Sequence, residues 1–206
     1  MSLREIFDRN RTAKGRVGFD KLYEEVIGPR RMETLDLLEI GIDRGYSLES
    51  WLEWLPHALV TGVDTFERFP RDTINALEHA RARCFQRSSA GPPPKGIGTF
   101  DFIIDDGCHW HAAQTMTFSR YWPLLREGGS YFIEDVWPFD VMSEKDKQHP
   151  WILSHPGAWT DAAFAELWAT VARAACIEPS ANIYRHDFRG IEGLDNSDHY
   201  IIEVRK

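Results

Sequence analysis

The sequence predicts an α/β fold of the Rossmann-like class, a mostly parallel sheet with helices on both faces and a C-terminal antiparallel hairpin. Three observations lead there. Leu35–Ile40, Leu59–Val63, Phe100–Asp105 and Tyr131–Glu134 are short runs rich in apolar residues, the pattern of strands buried on both faces. Segments of helical period lie between them, and each parallel pair of strands needs such a crossover. Near the end, Ile183–Phe188 and Tyr200–Val204 alternate like the two arms of a hairpin joined through Gly190 to Asp198.

Taken in order, residues 1–16 are polar and basic without a clear period and read as a mobile arm or part of a lid. Phe19, Leu22, Tyr23 and Val26 recur at helical spacing, and Pro29 ends that helix. The Leu35–Ile40 strand runs into Gly41 and Gly45, then a helix from Ser47 to Leu55. The next strand, Leu59–Val63, ends at Asp64. Thr73–Phe85 reads as a helix that turns into a short strand at Arg83–Gln86, and Gly91–Gly96 is a proline-rich loop. After the Phe100–Asp105 strand comes a helix over His111–Arg126, stopped by Gly128 and Gly129. Residues 138–160 carry Phe139, Trp151 and Trp159 among prolines and charges, either as a lid over a pocket or as a surface loop with its aromatics tucked into the core. Ala162–Ala175 is helical again, and Tyr121 and Trp122 read as core.

A chain of 206 residues suits one domain with a full core. Its net charge of −8 argues against a nucleic-acid partner, because phosphate binding needs a basic face. The basic clusters at Arg4–Arg16 and Arg81–Arg87 read as solvated surface. Cys84, Cys108 and Cys176 form no paired motif, as expected of a reduced, cytoplasmic protein. The first residues lack the apolar stretch of a signal peptide, and no run is long enough to span a membrane.

Chemistry gathers at two strand ends. Ligands of open parallel sheets bind at the carboxyl ends of the strands. Asp105-Asp106-Gly107-Cys108-His109 ends one apolar strand and Ile133-Glu134-Asp135 another. If those strands are neighbours, about 4.8 Å apart, Asp106, Glu134 and Asp135 converge with His109 beside them. Carboxylates that close repel unless a cation sits between them, and oxygen ligands favour Mg²⁺. His109-x-His111 also raises zinc, but no third soft ligand is evident beyond Cys108, so His111 reads as a helix-start residue. Asp105 and Asp106 cannot both face the metal if the strand still alternates there.

The loop Glu39-Ile40-Gly41-Ile42-Asp43-Arg44-Gly45 follows a strand and opens a helix, as nucleotide loops do. It is not a dinucleotide fingerprint, since Asp43 and Tyr46 stand where glycines are needed. Its acidic and polar lining, with Ser47 following, suits the amino-acid end of S-adenosylmethionine, and Asp64 at the next strand end is placed for the ribose hydroxyls.

Together, Leu38-Glu39-Ile40-Gly41, Gly62-Val63-Asp64, the Asp105-Asp106-Gly107-x-His109 motif and Ile133-Glu134-Asp135 resemble class I S-adenosylmethionine-dependent methyltransferases. The nearest likeness is to the metal-dependent sugar O-methyltransferases of macrolide antibiotic biosynthesis, the mycinamicin and tylosin type. The resemblance covers residues 19–137 well and the terminal hairpin loosely. It implies metal ligands at Asp106, Glu134 and Asp135, a general base at His109, and cofactor contacts at Glu39, Gly41, Gly45, Ser47 and Asp64. It selects Asp106 over Asp105, which is left as a structural or cofactor-side partner. Two features depart from the family. Gln86-Arg87-Ser88-Ser89 stands where relatives place an acid near the adenine, and the macrolide enzymes carry a large N-terminal region that helps assemble an oligomer.

The expected reaction is in-line methyl transfer to a hydroxyl of a glycoside with vicinal hydroxyls. Mg²⁺ would activate the oxygen, and His109, with an ordinary pKa near roughly 6.5, would take the proton. The rivals are a catechol-like acceptor, a non-catalytic cofactor-binding subunit and a hydroxylase-like relative. Neither nucleic acid nor membrane is expected as a partner, and a homo-oligomer stays open.

Overall fold

The computed structural model describes residues 1–190 and 198–206. Three short helices open the chain, α1 (Leu3–Arg9), α2 (Ala13–Arg16) and α3 (Phe19–Val26). The first two stand where the sequence suggested an open arm. Ser2 starts α1 through a capping box: its hydroxyl accepts from the Glu5 amide, and its own amide donates to the Glu5 carboxylate. Leu3, Ile6 and Phe7 then lie on one helical face, and all three are buried. Phe7 and Tyr23 each pack edge-on against Trp51, at centroid distances of 5.3 and 5.1 Å.

The described sheet comprises β1 (Asp36–Ile40), β2 (Leu59–Asp64), β3 (Ala82–Gln86), β4 (Phe100–Asp105), β5 (Leu125–Ile133), β6 (Asn182–Asp187) and β7 (Tyr200–Arg205). Their spatial order is β3-β2-β1-β4-β5-β7-β6, parallel through β5, with β7 antiparallel between β5 and β6. The chain winds outward from β1 to β3 and then crosses back to β4 beside β1. Such a reversal opens a crevice at the carboxyl ends of the strands. Side chains alternate between two cores. Leu37, Val60, Ile104 and Phe132 pack with α1, α3 and α4 (Tyr46–Trp54). Leu38, Ile103, Tyr131 and Ile133 pack on the other face with α5 (His111–Tyr121) and α7 (Asp161–Ile177). The remaining short helix is α6 (Pro150–Ser154).

Two sequence-predicted helices differ. Thr73–Phe85 contains only single 3₁₀ turns at Arg71–Thr73 and Asn75–Glu78 before β3. Pairing decides this: Ala82–Gln86 lies in register with Val60–Asp64, and Arg83 Nε donates to Thr61 Oγ1 at 2.9 Å. Such tertiary pairing overrides local propensity. The helix predicted to reach Arg126 ends at Tyr121, because Pro123 cannot donate to the helical ladder and confines Trp122–Leu124 to one 3₁₀ turn. Gly128 and Gly129 therefore belong to β5 and are no helix stop. Within 138–160, Phe139 and Trp159 are buried in the core while Trp151 is exposed. Most of the connection between β6 and β7 lies outside the described residues. Among the described residues no helix is long and apolar enough to cross a membrane.

Candidate active site

A cavity of about 740 Å³ opens at the carboxyl ends of the strands. Its walls come from the β1–α4 turn, Asp64, Arg87–Ser89, Asp106–His109, Glu134–Asp135 and the N-terminal segment around Lys14. The turn after β1 sits hard against the turn after β4. Gly41 has φ +83°, and a Cβ built on it would lie 2.6 Å from the Asp106 carbonyl carbon and 2.8 Å from Gly107 Cα. The Asp106 amide donates to Ile40 O at 2.9 Å across the same contact.

Asp64 straps this turn to β2. Its Oδ2 accepts from the Ile42 and Asp43 amides at 2.7 and 3.3 Å, and its Oδ1 from Phe66 N at 2.6 Å. A carboxylate offers about four lone-pair sites, so little more than one remains for a ligand hydroxyl. Gly41 and Ser47 line the cavity too. Glu39, Gly45 and Asp105, expected at the cofactor, lie behind that surface. Glu39 accepts from Trp51 Nε1 at 3.3 Å, and burial pushes its carboxyl up to about 7 against the pull of Lys14. Gly45 opens α4 beneath Ile74. Asp105 accepts from Gly107 N and Tyr131 Oη, and burial raises it to about 7.

The acidic cluster does assemble, and the cation at its centre is one the sequence reading did not nominate. Lys14 is almost fully buried, with Nζ 2.5 Å from Asp106 Oδ2 and in contact with Glu134 Oε2. Tyr23 donates its hydroxyl to the other Glu134 oxygen. On the far side, His109 Nε2 lies 3.2 Å from Asp106 Oδ1 and its Nδ1 3.8 Å from Asp135 Oδ2. The result is one chain of contacts, Tyr23–Glu134–Lys14–Asp106–His109–Asp135.

Its electrostatics follow. Burial works to raise Asp106, but the Lys14 charge and the His109 hydrogen bond hold it well below the usual carboxylate range. Burial works to lower His109, yet the Asp106 hydrogen bond and the charges of Asp135 and Asp106 carry it up to about 10. At neutral pH this imidazole therefore holds its proton. Burial pushes Glu134 and Asp135 upward, against Lys14 for the first and His109 for the second.

The Asp106–His109–Asp135 corner also fits a divalent cation. Among the described residues these three gather one ligand atom each within 4.8 Å of one another. Asp135 turns back toward the corner with φ +51°, and its Oδ1 is buried without a hydrogen-bond partner. An orphaned carboxylate oxygen beside hard oxygen donors suits Mg²⁺. Glu134 lies outside this group of three, with Lys14 Nζ against its Oε2.

Supporting groups fix the cluster from outside. Gln114 Nε2 donates to Glu134 O at 3.0 Å, and Trp159 Nε1 donates to His109 O at 2.8 Å. His111 is no metal ligand here: it opens α5, is fully buried, and bonds Trp137 O at 2.8 Å through Nε2. Lys14, Tyr23 and Gln114 were missed by the sequence reading. Ser2-x-x-Glu5 followed by apolar Ile6 and Phe7 is a capped amphipathic start that signals a helix in this segment, though it does not single out Lys14.

Residues 38–136 match the family model described as a methyltransferase domain. A tetracenomycin-C rhamnosyl 3'-O-methyltransferase of Streptomyces olivaceus is 33% identical over 129 residues, 58% of this chain and 32% of that protein. The L-olivosyl-oleandolide 3-O-methyltransferase of Streptomyces antibioticus is 35% identical over 127 residues, 56% of this chain and 33% of that one. The chain thus spans about a third of the length of the curated relatives it matches. In fold it is similar to the MycE methyltransferase from the mycinamycin biosynthetic pathway, solved in complex with Mg and SAH. The TM-score is 0.72 at 22% identity, covering 100% of this chain and 55% of MycE. Strand order, matched domain and relatives converge on a methyltransferase fold: residues 38–136 match a methyltransferase domain, and the chain is similar to sugar O-methyltransferases of macrolide and related pathways.

Proposed function

We propose that this chain transfers a methyl group from S-adenosylmethionine to a hydroxyl oxygen on a sugar of a glycosylated secondary metabolite, with Mg²⁺ at the acidic corner. The observation that carries the reading is the Asp106–His109–Asp135 corner opening into the same cavity as Gly41, Ser47 and Asp64. The acceptor class follows the names of the relatives, several of which act on deoxysugars of polyketide glycosides. A glycoside with vicinal hydroxyls suits a site of several oxygen donors.

The cofactor supplies an electrophilic methyl group, and the cation, when bound, supplies Lewis-acid polarisation of the acceptor oxygen. The chain's own residues do the rest. The Gly41 turn and Ser47 hold the amino-acid end of the cofactor, and Asp64 takes a ribose hydroxyl with its remaining acceptor capacity. Asp106 and Asp135 would hold the cation, with Glu134 beside them. His109 is the proton acceptor, steadied by Asp106 on Nε2 and facing Asp135 through Nδ1. In its present surroundings it is already protonated. Base action would require the carboxylate charge that holds that proton to be offset, which a cation held by Asp106 and Asp135 would supply. Positioning of acceptor and methyl in line supplies much of the remaining rate enhancement.

The test is calorimetric titration of S-adenosylhomocysteine into the protein, then Mg²⁺ into the complex, with Asp106→Ala beside the wild type. A panel of polyketide glycosides and catechols with labelled S-adenosylmethionine follows. The reading expects product binding by both proteins, a Mg²⁺ isotherm lost in the variant, and methylation of glycosides but not catechols. Absence of product binding by the wild type removes the methyltransferase reading, and turnover undiminished by a chelator removes the metal.

A further inference from the structure

The basic run Arg4–Arg16 is solvated surface by composition, yet one member of it lies in the middle of the acidic cluster. Lys14 is 4% exposed and reaches Asp106, Glu134 and, at 3.9 Å, Glu39. Its Nζ bridges Asp106 and Glu134, two of the three carboxylates expected to hold a metal. A divalent cation held by both would sit about 2.1 Å from each ligating oxygen, within the volume the ammonium fills. The two cannot share it, both sterically and because like charges a few ångströms apart repel strongly in a low-dielectric interior. The other Glu134 oxygen already accepts from the Tyr23 hydroxyl, which turns Oε2 toward Lys14.

We propose that Lys14 is a tethered counter-cation that competes with the divalent cation for Asp106 and Glu134, so that a full metal shell forms only when Lys14 withdraws. The inference rests on the metal reading above. Lys14 can leave without unfolding the domain. It lines the cavity, so its four-carbon stem has somewhere to swing, and the helix that carries it, α2, is a single turn. The arrangement ties metal loading to the segment of Arg11–Lys14 and Val17, which line the same cavity. The ammonium keeps the carboxylates compensated when no metal is bound, where an unpaired buried charge would be costly. The metal's apparent affinity is lowered by the fraction of molecules in which Lys14 has withdrawn.

The experiment compares wild type and Lys14→Met, each saturated with S-adenosylhomocysteine, by calorimetric titration with Mg²⁺. Methionine keeps most of the stem and removes the charge. If Lys14 is withdrawn in about a tenth of wild-type molecules or fewer, Lys14→Met binds Mg²⁺ roughly tenfold tighter or better. Equal affinities overturn the proposal and leave the metal reading standing. Weaker binding by Lys14→Met also overturns it, making Lys14 an organiser of the carboxylates. No Mg²⁺ binding by either protein overturns the metal reading and this proposal with it. Should the variant fail to fold, the wild type still decides: amine labelling of Lys14, read by peptide mass spectrometry, is expected to be slow without Mg²⁺ and fast with it. Labelling unchanged by Mg²⁺ overturns the competition.

Discussion

Gly41→Ala tests the contact on which the cavity is built. Gly41 combines two demands, a left-handed backbone at φ +83° and a near-contact with the chain around Asp106. The conformation alone costs an alanine about 1–2 kcal/mol, which in a domain of this size lowers Tm by roughly 2–8 °C. The second demand is larger. A Cβ would lie 2.6 Å from the Asp106 carbonyl carbon and 2.8 Å from Gly107 Cα, where carbon atoms settle at about 3.5 Å or more. The turn after β1 and the turn after β4 must therefore part by about 1 Å, carrying Asp106 and His109 away from the cofactor. Misplacement of about 1 Å can cost on the order of 10²-fold in rate. Gly128→Ala is the control, since Gly128 has φ +74° and nothing within 4 Å of its Cβ position. Thermal unfolding and calorimetry with S-adenosylhomocysteine are the assays. Gly128→Ala is expected to lose only the conformational part and keep normal product affinity. Gly41→Ala should lose more stability and bind product about tenfold more weakly or worse. Matching Tm and affinity in the two variants would refute the reasoning, because only the close approach distinguishes them.

Two further outcomes are expected. Phe7→Ala removes a fully buried ring packed on Trp51 and should cost about 3–5 kcal/mol in urea unfolding; a loss below about 1 kcal/mol would mean that α1 is not part of the core. His111, fully buried, is depressed by desolvation to about 4 in the folded chain, against about 6.5 unfolded. The unfolded state therefore binds the extra proton as pH falls through that window, and stability is lost on acidification from about 6.5 toward 4. The wild type should lose roughly 3 kcal/mol more than His111→Gln between pH 7 and 4; parallel pH profiles would show that His111 does not titrate as its burial requires.

The strands that position the site were legible because strands buried on both faces must be apolar along their length. Phe102-Ile103-Ile104 and Tyr131-Phe132-Ile133 serve both cores at once, so their residues leave no choice of period. The convergence of the carboxylates was legible for the same reason: charge at the end of such a run, as at Asp106 and Glu134, has little structural excuse. The edge of the sheet was harder. Ala82–Gln86 is half exposed and pairs with β2; its Arg83–Gln86 part was legible as a strand, while the helix expected before it is reduced to 3₁₀ turns. Lys14 was hidden more deeply. It meets its partners 92 and 120 residues away, and nothing local separates a lysine that will be buried against carboxylates from the arginines around it. The aromatic segment after Pro138 admitted two readings. Its buried members belong to the core, and Trp159 also fastens the backbone of His109.

The placement of β7 has a consequence for how the protein is made. Although it is the last strand in the chain, β7 lies inside the sheet, paired on one side with β5 and on the other with β6. The Val136 amide just beyond the acidic pair donates to Tyr200 O at 3.0 Å. Until Tyr200–Arg205 have left the ribosome, the edge of β5 is unpaired and adhesive, and Glu134 and Asp135 lack the neighbour that holds their turn. Lys14, made 92 and 120 residues before its two carboxylate partners, waits for them in turn. A chain halted before β7 is thus a ready substrate for chaperones, and the complete site exists only once β7 has been made.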